Sequence, residues 1–227
     1  MPSFLVDLVS LSIASAIGPG QILFTILLLQ SSERGVVKAT AFVGGMTVVR
    51  LIQGIVFGFI LTGAFSSVSN SSQPGVITAT LLVVLGIFLW ITAYKQWQQE
   101  DDPAGPPPKW LTMIDSLTPV KALGIGFILV ATSPNLWAFT LSVIALIGEA
   151  QLNRPDSILA FLFFILLAES LLLFTILIRI VMPGRATKFL DAMSAWLNKN
   201  NRVLLIVTSL VFGLYFLAKG ISRFLVY

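Results

Sequence analysis

The sequence predicts an all-α integral membrane protein of six transmembrane helices, arranged as two inverted three-helix repeats with the first and fourth helices broken at proline. Three observations carry this expectation. The 227 residues are 56% hydrophobic and 11% charged, with a mean hydropathy of +0.94, whereas a soluble domain carries about 25% charged residues on the surface it shows to water. Six runs are long and apolar enough to cross a bilayer, which takes about 20 residues of helix. The first and fourth of them share a proline-centred pattern. Long unbroken apolar runs also exclude an outer-membrane barrel, whose strands alternate over about ten residues.

The spans are Leu5–Gln30, Val36–Phe65, Val76–Tyr94, Val120–Gly148, Ile158–Met182 and Val203–Tyr227. The first lacks a basic leader region and is longer than the apolar core of a signal peptide. Connections one, three and five collect Arg34, Lys38, Lys95, Lys109, Lys121, Arg179, Arg185, Lys188, Lys199 and Arg202, against Arg154, Lys219 and Arg223 on the other side. That bias places the odd connections in the cytoplasm and both termini on the extracytoplasmic side. The second connection, Ser66 to Gly75, is uncharged; its Asn70-Ser71-Ser72 matches a glycosylation sequon by chance in a Ser-rich turn.

The third connection divides the chain. Residues 98–118 contain Glu100-Asp101-Asp102, Pro103 and Pro106-Pro107-Pro108, a stiff acidic linker between repeats at 1–97 and 119–227. Before the last span, Ala186, Phe189, Leu190, Met193, Trp196 and Leu197 recur at helical spacing among Arg185, Lys188, Asp191 and Lys199. This pattern around 185–199 reads as a helix lying on the cytoplasmic surface, or alternatively as a protein-docking helix.

Composition also excludes chemistries. There is no His and no Cys, so disulfides, thiol relays, haem attachment, Cys/His zinc sites and a Ser-His triad are impossible, and no cofactor or metal is expected. The basic residues lie between apolar runs rather than in one patch, so nucleic acid is not an expected partner. No Walker motif is present. Without paired intramembrane carboxylates or a nucleophile–base pair, the chain is not expected to be an enzyme.

Candidate binding residues gather at the two prolines. Pro19-Gly20-Gln21-Ile22-Leu23-Phe24-Thr25 lies over Pro134-Asn135-Leu136-Trp137-Ala138-Phe139-Thr140, with Pro, Phe and Thr at identical offsets. A mid-helix proline removes a donor and clashes with the preceding turn, and the glycines of Gly18-Pro19-Gly20 let the helix open further. Backbone freed in this way must face protein or a wet cavity. The residues beside the breaks, Gly18, Pro19, Gly20, Gln21 and Thr25 in one and Ser133, Pro134, Asn135 and Thr140 in the other, therefore form a candidate substrate site; a packing kink is the alternative. Three helices per half means that the second half is inserted upside down, a plan of many secondary transporters.

Arg50 and Glu169 are the only charges deep in spans, each costing on the order of 3 kcal/mol on the insertion scale if left facing lipid. They occupy comparable positions in the two halves and are expected to approach each other or share a cavity. They could form a structural ion pair, or serve function as an anion-binding arginine and a proton-accepting glutamate. Gly44-Gly45, Gly54 and Gly58 allow close helix packing, and Gly54 with Gly58 is a GxxxG pair whose sharper reading is a homodimer contact. Trp90, Tyr94, Trp97 and Trp110 read as interfacial anchors.

The pattern resembles the glycolipid-addressing (GAP) or sulfolipid-addressing (Sap) family of the lysine-exporter (LysE) superfamily. The resemblance rests on Ser15-Ala16-Ile17-Gly18-Pro19, on Leu117-Thr118-Pro119-Val120-Lys121-Ala122 leading into Ser133-Pro134-Asn135, and on Leu190-Asp191, Trp196-Leu197 and Asn200-Asn201-Arg202. It implies a bacterial inner-membrane protein that moves lipids, glycolipids or small solutes, with membrane lipids as its surroundings. The family often carries Asn-Pro-Lys-Asn where this chain reads Ser133-Pro134-Asn135-Leu136, so the basic residue is missing at that spot. Two functions are then expected to compete: a carrier working by alternating access, and a non-transporting scaffold for a separate lipid synthase or efflux pump.

Overall fold

The computed structural model describes residues 2–31, 34–67, 73–98, 114 and 116–225. Most of the 98–118 linker and Asn70-Ser71-Ser72 lie outside them, as does Trp110. The described residues form nine helices and no strand: α1 (Pro2–Ala16), α2 (Pro19–Gln30), α3 (Gly35–Ser67), α4 (Gln73–Gln98), α5 (Pro119–Thr132), α6 (Pro134–Glu149), α7 (Arg154–Ala168), α8 (Ser170–Val181) and α9 (Pro183–Phe224). α3, α4 and α9 are each long and apolar enough to cross a membrane alone; α1–α2, α5–α6 and α7–α8 pass the same test as pairs bent by 55°, 71° and 59°.

Proline dictates the first two breaks. Pro19 and Pro134 stand at the first position of α2 and α6, where a missing N–H costs nothing, and each prevents the preceding helix from running on. The third break is a correction to the sequence reading, which takes Ile158–Met182 as one unbroken span. Glu169 leaves helical geometry at φ −103°, ψ 1° with neither Pro nor Gly beside it. Ser170 Oγ donates to Leu167 O at 2.7 Å, giving a carbonyl beside the break a hydroxyl partner.

A second correction concerns 185–199. It is not a separate helix: α9 runs without interruption for 42 residues, about 63 Å at 1.5 Å per residue. Ala186, Leu190 and Leu197 from its first half are buried in the core, while Phe189 and Trp196 remain exposed. Arg179 holds the corner before it, donating to Thr187 Oγ1 at 2.9 Å.

The long α9 also serves as a ruler for the bent pair α1–α2. At the start of α1, Asp7 contacts Lys219 at 2.9 Å and Arg223 at 3.0 Å, and accepts from the Tyr215 hydroxyl at 3.1 Å. At the end of α2, Gln30 donates to Asp191 at 2.6 Å. Asp191 and Lys219 are 28 residues apart on one continuous helix, about 42 Å. The pair therefore traverses the whole bundle and does not turn back inside it. Arg223 also pairs with Glu149, tying the end of α6 to the same pole as the start of α1.

Packing divides the core into two layers. One collects Ile22 and Ile26 of α2, Phe42, Met46 and Val49 of α3, Ala122 and Val130 of α5, Leu172 and Ile176 of α8 and the start of α9. The other collects Leu8 and Leu11 of α1, Leu85 of α4, Val143 of α6, Phe164 of α7 and Phe216 of α9. Each bent pair gives one limb chiefly to each layer, with Leu136 at the start of α6 joining the first, so all three breaks lie near the boundary between them. Glycines set the closest crossings. A Cβ on Gly45 would strike the Leu123 carbonyl and one on Gly126 the Phe42 carbonyl, while Gly86 and Gly213 face each other between α4 and α9. Gly54 gives its space to the Phe161 ring of the same chain.

Candidate functional site

The boundary between the two apolar layers is polar. Arg50 of α3 is fully buried, and its Nε lies 3.6 Å from Glu169 Oε1 at the α7–α8 break. This is the approach of the two deep charges expected from sequence. Arg50 Nη2 donates to Ser15 Oγ at 3.1 Å, and the guanidinium carbon stands 5.3 Å from the centre of the Phe164 ring. Thr47 Oγ1 lies 2.7 Å from Glu169 Oε2 and 3.0 Å from Val43 O; its single proton serves one of them at a time. Arg50 Nη1 and Glu169 Oε1 have no hydrogen-bond partner among the described residues. A buried pair with unfilled bonding capacity is a poor device for stability alone, since desolvation offsets much of the attraction.

Beside this pair, the first two breaks open into one cavity of about 240 Å³. Gly18, Pro19, Gly20 and Gln21 line it from the first break, and Ser133, Asn135 and Leu136 from the second. Ser15 lines it as well, so the guanidinium of Arg50 stands one hydrogen bond from the cavity wall. α4 contributes Leu89 and Thr92, and α9 contributes Thr208, Ser209 and Phe212. Among the described residues, no ionisable side chain lines it.

The remaining candidates fall elsewhere. Pro134 borders a separate recess with Thr132 and Trp137, and the Trp137 indole donates to Ala131 O at 2.9 Å across the break. Thr25 and Thr140 are buried and do not reach the cavity. Thr25 donates to Gln21 O at 2.9 Å and Thr140 to Leu136 O at 3.0 Å. The matching threonines thus make the same bond, back to a carbonyl one turn earlier, in both broken helices.

Sequence reasoning left out Thr47, Thr92, Thr208 and Ser209. Thr47 was within reach, because it stands three residues before Arg50 and so shares its helix face. The others carried no signal, since hydroxyl residues on α4 and α9 become wall only through packing. Gly54 and Gly58 border a wider apolar groove of about 740 Å³ between α3, α6 and α7, with Ile147, Phe161 and Leu162.

Apolar helices of this length, bent around a polar layer buried between two hydrophobic ones, define a multi-pass α-helical membrane protein. The chain belongs to the family described as Sap, sulfolipid-1-addressing protein, whose profile matches residues 8–222. No curated protein and no solved structure matches it.

Proposed function

We propose that this protein is an inner-membrane carrier of the LysE/GAP type, which moves a lipid, a glycolipid or a small solute toward the cell surface by alternating access. The family description points to sulfolipid export as the setting. The observation that carries the reading is that two proline breaks, from opposite halves of the sequence, line one small cavity, largely apolar with hydroxyl and amide groups in its wall, next to a buried ion pair. Broken helices whose ends meet at mid-depth are the usual site architecture of secondary transporters.

Two inverted repeats would account for several of the helix contacts. Exchange of the halves turns α3 on α5 into α7 on α1, α4 on α6 into α9 on α2, and α3 on α6 into α8 on α2. All of these pairs are in contact, and α4 on α9 maps onto itself. Both termini would then face the extracytoplasmic side, as the distribution of basic residues favours. The chain acts in this reading by rearrangement and not by catalysis.

The absence of cysteine makes a single Thr208→Cys substitution a unique reporter on the cavity wall. In right-side-out and inverted membrane vesicles, a carrier should let a membrane-impermeant maleimide reach this thiol from either side. Labelling from one side only, or from neither, would overturn alternating access and leave the scaffold reading.

A further inference from the structure

We infer that the cavity between the two proline breaks is an anion site built from backbone amides, taking a sulfate, phosphate or carboxylate group as its ligand. The inference rests on reading this cavity as the cargo site and names the chemistry it would accept.

The first residues of a helix leave N–H groups without intrahelical partners. In α5 and α7 a side chain meets this need: Thr118 accepts from Lys121 N and Asn153 from Asp156 N. In α2 and α6 it does not. Gly18 has no side chain to offer, and Ser133, a residue well suited to capping, makes no capping bond. The amides of Gly20 and Gln21 in α2 and of Asn135 and Leu136 in α6 are consequently left open, and all four residues line the cavity. Each helix N-terminus carries roughly half a positive charge, so two converging on one space approach a full unit, enough to balance a monoanion.

Two further features are independent of the helix ends. The Gln21 side chain is buried at 8% exposure and borders the cavity, its amide packed over Gly18, and its Oε1 has no partner among the described residues. Arg50, with Nη1 unpartnered, reaches the wall through Ser15. Among the described residues the site thus offers donors and positive potential without a lining cation, and two buried amide oxygens, Gln21 Oε1 and Asn135 Oδ1, for hydroxyl groups carried beside the anion. At about 240 Å³, against about 30 Å³ per water in the liquid, it holds a head group and not a whole lipid.

A carboxylate supplied by the chain itself should close such a site. Ser133→Asp places an anion on the α6 amides while favouring the helix, since Asp is a strong N-cap; Ser133→Asn caps with a neutral oxygen. Thermal unfolding of the full-length protein in nanodiscs provides the test. One arm compares sodium sulfate with sodium chloride at equal ionic strength, and the other compares sulfatide with galactosylceramide, which lacks only the sulfate. The expected result is a higher Tm for the unsubstituted chain in the sulfated condition, an excess that Ser133→Asp abolishes and Ser133→Asn reduces. A gain with both inorganic sulfate and sulfatide assigns the site to anions generally; a gain with sulfatide alone assigns it to a lipid head group. An equal rise in the unsubstituted chain and in both variants would reveal only the general salting effect of sulfate and overturn the site, as would no excess in either arm. These outcomes are separate from vesicle sidedness, so an anion site can survive the failure of alternating access and the converse.

Discussion

Arg50 Nη2 donates to Ser15 Oγ at 3.1 Å, joining a fully buried arginine to the wall of the cavity. Ser15 lies just before the first break and Arg50 on the unbroken α3, so this single contact couples the break to the ion pair with Glu169 at 3.6 Å. Any motion of α1 against α3 must stretch or release it.

The ion pair should show the asymmetry of buried charges. Glu169→Gln leaves Arg50 without its counter-charge, and Arg50→Met leaves Glu169 without its own, each costing about 3–5 kcal/mol. The double replacement removes both charges and should recover most of that loss. Thermal unfolding of the purified protein checks this: single variants should melt well below the parent, with the double variant close to it. Equal, additive losses would mean that the two groups are not coupled.

Adjacent glycines on α3 should respond in opposite directions. A Cβ at Gly44 meets nothing within 4 Å, whereas one at Gly45 strikes the Leu123 carbonyl. Gly44→Ala should therefore be neutral or gain up to about 1 kcal/mol from helix propensity. Gly45→Ala must push α3 and α5 apart, at about 1–3 kcal/mol. Monodisperse yield and Tm, compared side by side, would test the crossing.

The twin threonines should prove structural. Thr25→Val and Thr140→Val each remove one hydroxyl bond to a helix carbonyl, a loss of about 1 kcal/mol or less. Neither should change labelling of Thr208→Cys in vesicles. A large change in labelling with little change in Tm would place these hydroxyls in the transport path.

Much of the architecture was legible because lipid imposes simple rules. Apolar runs of sufficient length mark the spans, and Pro19 and Pro134 mark two breaks because a proline cannot continue the hydrogen-bond ladder. Arg50 and Glu169 were conspicuous because an isolated charge at mid-depth is so unfavourable that it must be sheltered. The break at Glu169 was hidden, since nothing local forbids helix there; tertiary packing imposes it. The same holds for α9, where the charged stretch before Val203 looks like a separate surface helix until its Ala186, Leu190 and Leu197 face is found in the core.

By itself, then, the sequence determined that this chain lives in a membrane, where its first and fourth spans break, and that Arg50 and Glu169, deep in their spans, must be sheltered. Tertiary structure decided that both breaks open into one space, that Ser15 links that space to Arg50, and that Thr25 and Thr140 turn away from it. The physical reason is that periodicity and proline act along a single helix, whereas a cavity is made by side chains and open amides from several helices, and its walls exist only once those helices are packed.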